Sequence, residues 1–319
     1  MYQSAVAISR PEISAFLEES TGVDKMFIAE QILPIMNVPD RAGRYPKLQR
    51  KEGQLLSKGS TKRSPGGSYN RTDRATGWDT YDCQDYGHEE LVDDVDQKEM
   101  VKFFDALKTK SKLAQRFLRM DYEYRVANLV MSSANSGITA TNPAVDYTEG
   151  NLATIDFARD LQDAIARLEK KAVVPNTLII ARALWNRIMR TTKLQSFLYS
   201  NLGSGNLKLI TPEDVSKVFG VKVIVPGIHY NSADPGQDVS LSAIWSTSTM
   251  LLADIQSGDF AAGGLGRTIV WEPDCPGGLY TTETYRDEKI RSEVTRVRMH
   301  TAEKIVDTGA GELITTNFA

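Results

Sequence analysis

The chain has 319 residues, of which 41% are hydrophobic and 25% charged, and its formal net charge is −3. This composition supports a sizeable buried core and, at this length, roughly two domains. A globally basic nucleic-acid binder is excluded, so the local distribution of charge carries the information.

Residues 1–40 read as an N-terminal arm with little core of its own. Pro11 is followed by a helix-like stretch with Ile13, Phe16 and Leu17 on one face, and Pro34 and Pro39 favour extended chain thereafter. Residues 41–74 carry ten bases (Arg41, Arg44, Lys47, Arg50, Lys51, Lys58, Lys62, Arg63, Arg71 and Arg74) against Glu52 and Asp73, a local charge of 10 − 2 = +8. Apolar residues are too sparse there for independent folding, and Ser64-Pro65-Gly66-Gly67 supplies a turn. A protruding loop or β-hairpin is expected. Residues 79–99 reverse the sign, with Asp79, Asp82, Asp85, Glu89, Glu90, Asp93, Asp94, Asp96 and Glu99 against Lys98 alone.

Residues 97–133 read as a long helix capped by Asp96, with Glu99 three residues on. Val101, Phe104, Leu107, Ala114, Phe117, Leu118, Tyr124, Leu129 and Val130 recur at helical spacing. The polar stretch Lys108–Lys112 is a place for it to bend, and a continuous helix would approach about 50 Å. Residues 134–153 are a loop by composition. A helix capped by Thr154 follows, with Ile155, Ala158, Leu161, Ile165 and Leu168 as its stripe. Then come a strand over 177–181, a helix over 183–190 and a polar loop holding Gly203 and Gly205. Thr211-Pro212 opens a helix that Gly220 ends after Phe219. A strand at 221–227 and a strand or hairpin over 240–255 complete a mixed α/β region. Residues 267–306 turn to strand character, read as a long strand with one wet face on which Ile290, Val294, Val297 and Met299 alternate with charge. The tail from Gly309 is short and partly extended.

Chemistry-bearing motifs are missing. Gly263-Gly264-Leu265-Gly266 lacks phosphate-loop spacing and leads into a strand, so it is a turn. His88, His229 and His300 are isolated from metal-ligand partners. Cys83 sits among acids that disfavour a thiolate, and Cys83 and Cys275 are too few for a disulfide framework or a four-ligand zinc site. No catalytic serine or zinc signature is present, and the chain reads as a non-enzyme with no cofactor or metal. No apolar run is long enough for a membrane span, and the N-terminus is unlike a secretory signal. The basic loop alone demands a functional account. It has three readings: phosphate binding, docking onto the acidic 79–99 region of a like chain (Asp79, Asp82, Asp85, Glu89, Glu90, Asp93 and Asp94 foremost), or a solvated loop.

The order of these segments resembles the major capsid proteins of tailed bacteriophages. FIAEQILPIMNVPDRAGRYPKL resembles their passage from arm to extended loop, RSPGG the loop's turn, and GHEELVDDVDQKEM the return into the spine helix. VVPNTLIIARALWNRI, VFGVKVIVPG and AIWSTSTMLLADI resemble the axial domain. The resemblance implies the α+β Hong Kong 97-like capsid fold. The implied segments are an arm (1–40), an extended loop (41–95), a peripheral domain with spine helix (96–149), an axial domain (150–265), peripheral long strands (266–302) and a C-terminal return (303–319). It further implies pentamers and hexamers of this chain forming a virion shell, assembled in the host bacterial cytoplasm. The partners would be a scaffolding protein, a portal, a decoration or cement protein, and packaged double-stranded DNA contacted without sequence specificity. An encapsulin-like nanocompartment shell and a DNA-binding protein are the alternative functions. The lysine–asparagine crosslinking residues of one branch find no match.

Overall fold

A computed structural model of the chain describes residues 8–9, 27–47, 62–63, 65–69, 77–95, 106–202, 210–234, 236–276 and 278–318. Its strands are β1 (Ile8–Ser9), β2 (Ile35–Val38), β3 (Ala42–Lys47), β4 (Gly77–Asp82), β5 (Gln84–Asp93), β6 (Thr139–Thr141), β7 (Thr177–Ile179), β8 (Lys222–Ile224), β9 (His229–Asn231), β10 (Leu241–Ala243), β11 (Thr249–Ala253), β12 (Gly266–Trp271), β13 (Thr281–Asp287), β14 (Ser292–Ile305) and β15 (Gly311–Thr315). The principal helices are α1 (Ala29–Ile32), α2 (Ala106–Val130), α3 (Phe157–Glu169), α4 (Arg182–Ile188), α5 (Thr192–Leu202) and α6 (Pro212–Phe219).

Two sheets organise the α+β chain. The first runs β1-β13-β14-β12-β2, with β5 also paired to β14. The second runs β6-β15-β11-β7-β8. Helix α2 lies where they meet. Its buried row, Ala114, Leu118, Tyr122, Val126 and Val130, packs with Val297 and Met299 of the first sheet and with Ile179, Leu251 and Leu313 of the second. The opposite face of the second sheet (Leu178, Met250, Leu252, Ile314) takes α3 and α4 through Phe157, Leu161, Leu168, Leu184 and Trp185. The alternation of strand side chains lets one sheet serve both cores.

At Glu123 α2 holds two distant segments. This fully buried carboxylate (1% exposed) accepts the amides of Ile28 (3.0 Å) and Ala29 (2.9 Å) and the Trp245 indole N–H (2.8 Å). The N-terminal segment and the chain entering β11 are thereby fixed to one helix. Burial raises the Glu123 pKa, and the three donors and Arg119 oppose that rise.

Several expectations need correction. Helix α2 runs unbroken through Lys108–Lys112, its described 25 residues spanning about 38 Å; Asp96, Glu99 and residues 97–105 lie outside the described residues. Asp156, not Thr154, caps α3 by accepting from the Arg159 amide, while Thr154 donates to the Asn151 carbonyl. The polar stretch after Arg190 forms helix α5, and Gly203 and Gly205 lie outside the described residues. Residues 240–255 are no hairpin, since β10 pairs β9 whereas β11 joins the second sheet. The long charged segment is a hairpin of β13 and β14, and Ile290 belongs to its exposed turn. The tail is a core strand, because β15 sits between β6 and β11. Thr211 before Pro212 at the start of α6, the left-handed Gly220 (φ 70°) at its end and the turn at Gly263-Gly264 (φ 76° and 84°) are as expected, and Asp214 adds a capping box with Thr211.

Candidate functional site

The basic segment leaves the first sheet as a ribbon in which β3 and β4 pair antiparallel, Ala42 opposite Asp82 and Lys47 opposite Gly77. One face packs inward. Tyr45 is buried, stacks on Phe260 (5.1 Å between centroids) and donates to Asp79 and to the Ile305 carbonyl, each at 3.3 Å. Burial, with Asp79 beside it, pushes the Tyr45 hydroxyl pKa up. Gly43 lets the ribbon close, because a Cβ there would lie 2.8 Å from the Tyr81 hydroxyl. Tyr45, Tyr81 and Cys83 pack with Val38, Ile269, Ala302 and Val306, so the ribbon's base is part of a small core. The other face carries Arg44, Pro46 and Trp78, and Trp78 is 65% exposed. Further out, Pro65-Gly66 forms a turn with Gly66 at φ 81°. Arg63 donates to the Gly67 carbonyl (2.6 Å) and lies over the Tyr69 ring, and Lys62 is exposed. Arg50, Lys51, Lys58, Arg71 and Arg74 lie outside the described residues.

Part of the charge complementarity is spent inside the chain. Arg41 reaches Asp82 (3.7 Å) and donates to the Cys83 carbonyl, and Lys47 pairs with Asp79 (3.4 Å). The Thr80 amide, helped by Lys47, holds the Asp79 carboxyl below its usual range. Arg44 is exposed and has no partner among the described residues.

The acids of β5 divide by strand alternation. Glu90 faces α2 and pairs with Lys110 (3.2 Å), as His88 does with Phe117, their rings stacked 4.3 Å apart. Asp85 and Glu89 point to the opposite face of the sheet, beside β14. Glu89 accepts from Arg296 (2.6 Å) and begins a ladder that continues through Glu283, Arg298, Asp274 and His300. Burial alone would raise Asp274, but hydrogen bonds from Arg298 and His300 outweigh it and lower the pKa. Asp94 holds Arg286 through two bonds (2.7 and 2.8 Å), and Asp93 accepts the Val95 amide. Asp85 is exposed, with no partner among the described residues. It lines a shallow cavity of about 620 Å³ with Gly87, Glu89, Glu283, Arg296 and Arg298.

Sequence reasoning missed that β14, some two hundred residues downstream, answers the β5 acids, and it passed over Trp78. The composition there gave a signal: Arg296 and Arg298 alternate with apolar residues at strand spacing.

None of this assembles a reactive centre. Burial, with Asp82 next, pushes the Cys83 thiol up to about 11, and burial also raises Cys275. Among the described residues no three His, Cys, Asp or Glu side chains are grouped to hold a metal, and no helix is long and apolar enough to cross a membrane. What the arrangement offers is a rooted, charged ribbon and a sheet face bearing opposite charge.

No family model matches the sequence, and no curated protein matches it. Solved structures do match along its whole length. A phage-related protein from Bordetella bronchiseptica RB50 is 16% identical, with a TM-score of 0.73 over 98% of both chains. A chain in the capsid of cyanophage P-SCSP1u is 12% identical, with a TM-score of 0.56 over 100% of this chain and 90% of the other. The holo-SrpI encapsulin complex of Synechococcus elongatus PCC 7942 holds a chain 12% identical, with a TM-score of 0.53 over 91% and 88%. The chain has the Hong Kong 97-like capsid fold.

Proposed function

We propose that this protein is a major capsid protein of a tailed bacteriophage, a structural subunit that assembles into the pentamers and hexamers of a shell enclosing double-stranded DNA. The observation that carries this is the fold match over essentially the entire chain. In that reading residues 1–40 are the arm and 41–95 the extended loop. Residues 96–149 with 266–302 form the peripheral domain around α2, residues 150–265 the axial domain, and 303–319 return to it. Assembly occurs in the host cytoplasm with a scaffolding protein and a portal, and the finished location is the virion. A decoration protein and packaged DNA would meet its two surfaces.

The ribbon is the subunit's reach. Docked over a neighbour, its outward face would bring Arg44, Pro46 and Trp78 against the neighbour's β5–β14 face, where Asp85 is exposed. Aromatic and arginine side chains suit the centre of such a contact, and the unanswered charges at Arg44 and Asp85 fix its register more than its strength. Arg50, Lys51, Lys58, Lys62, Arg63, Arg71 and Arg74 would extend the same complementarity towards Glu89, Glu90, Asp93 and Asp94. One surface reused around a ring closes into pentamers and hexamers.

The test is Arg44→Glu with Arg50→Glu, both bases reversed. The variant is expected to fold, with an unchanged circular-dichroism spectrum, and to give no shells. Normal shells from it would sink the docking role of the ribbon. The similarity to an encapsulin sustains a second reading, a cargo-holding nanocompartment. Particles purified from phage-producing cells separate the two, since capsids would hold nuclease-protected DNA.

A further inference from the structure

His300 uses one ring nitrogen and leaves the other without a partner. Its Nδ1–H donates to the Asp274 carboxylate (2.7 Å), which Arg298 also reaches. Nε2 is buried and has no hydrogen-bond partner among the described residues. The residue is 8% exposed, and its ring stands edge-on to the Trp271 indole, 5.1 Å between centroids. With Nδ1–H held on Asp274, the neutral imidazole is an acceptor at Nε2, and a second proton makes that atom a donor.

Strand register supplies a partner for the charged form. His300 on β14 lies directly opposite Asp85 on β5. Side chains so paired share one face of the sheet with Cβ atoms about 5 Å apart, which a carboxylate and an imidazole can bridge. Asp85 is exposed, with no partner among the described residues. The other titratable and charged groups around the ring are Asp274 and Cys275 from the chain after β12, Cys83 before β5, Arg298 on β14 and, bonded to Arg298, Glu283 from β13. Burial raises both thiols, so they add no charge. In the ladder from Glu89 to His300, with Asp85 beside it, four carboxylates (Asp85, Glu89, Asp274, Glu283) meet two guanidinium groups (Arg296, Arg298). The excess is 4 − 2 = 2 negative charges, which favours a proton on the imidazole.

We propose that His300 and Asp85 form a proton-operated pair. On acidification the imidazolium draws the Asp85 carboxylate in, and the β5–β14 face loses the outward charge on which a neighbour's ribbon docks. The pair itself stands on the sheet register and the unfilled nitrogen; its effect on docking rests on the shell reading.

Two readouts keep these apart. In the unassembled full chain, labelled with 13C at histidine, the His300 ring signal is assigned by its loss in His300→Gln. It is then followed by NMR from pH 8 to 5, the span over which an imidazole gains its charge. Asp85→Asn, an exposed change, is expected to lower the proton affinity of His300 about threefold, the effect of a partly solvated ion pair. Glu89→Gln, further along the ladder, should move it less. A ring that takes up no proton by pH 5, a titration that Asp85→Asn leaves unmoved, or an equal shift from Glu89→Gln overturns the pair. In the second readout the fraction of chain in shells is measured by sedimentation at pH 8 and pH 5.5. The unaltered chain is expected to lose at least half its shells at the lower pH, whereas His300→Gln, which cannot gain the charge, should assemble alike at both. Equal yields from the unaltered chain, or the same loss in His300→Gln, overturn the effect on docking. If no shells form at either pH while the Asp85→Asn shift is present, the shell reading fails and the pair stands.

Discussion

Glu123→Ala should be the most damaging single change in the described core. The side chain satisfies three donors, the Ile28 and Ala29 amides and the Trp245 indole. Each buried donor left unpaired costs about 1–3 kcal/mol. Removing a buried carboxylate returns part of that through its own desolvation, leaving a net loss of about 3–5 kcal/mol. For a chain of this size each kcal/mol lowers Tm by about 2–3 °C, so a drop of about 6–15 °C is expected by calorimetry of the unassembled subunit. The loss has a signature, because amide exchange at Ile28 and Ala29 should accelerate before the rest of the core is affected. A double-mutant cycle with Trp245→Phe should show coupling, since both changes break one bond. A Tm change under about 2 °C, or unchanged exchange at those two amides, would refute the claim that Glu123 fixes the N-terminal segment to the helix.

Two carboxylates should leave opposite marks on stability against pH. Burial raises Glu123, so its contribution is fully present below the usual glutamate range and lost as pH rises through its folded value; Glu123→Gln should remove the gain seen on acidifying from neutrality, read as Tm against pH. Asp274 is held low despite its burial, so it stabilises above the usual aspartate range and that contribution is lost as pH falls through its depressed value; Asp274→Asn should flatten the acid limb of the same curve. Gly43→Ala forces the Tyr81 ring aside and should cost about 1–3 kcal/mol by urea unfolding, with a cost near zero showing that the ribbon base is loosely packed. Gly220→Ala has open space around it but a positive φ, so strain alone should cost about 1 kcal/mol in the same assay.

Local rules made part of this legible. Helix α6 was readable end to end because its threonine cap, its proline and its terminal glycine are all neighbours in sequence. The ribbon was readable because its charge excludes burial and its turn chemistry is local. The misses are long-range. Nothing around Glu123 announces that its partners lie 94, 95 and 122 residues away. That Arg286 and Arg296 of the same chain take Asp94 and Glu89 is not legible either, because strand pairing across two hundred residues leaves no local trace. Phe117 fitted the apolar period of α2 as well as Leu118 did, yet one is exposed and the other buried. Adjacent apolar residues straddle the edge of a helical stripe, and only the packed partner decides which enters the core. Helix α5 was hidden by threonine, serine and asparagine, whose poor helix propensity is overridden by the burial of Leu194 and Leu198.

The most direct test of the shell assignment is the particle state of the purified, untagged chain, measured by light scattering and checked by negative-stain microscopy with and without a co-expressed scaffolding protein. Closed icosahedral shells, or rings of five or six subunits, are expected. A strict monomer or dimer under both conditions would contradict the assignment.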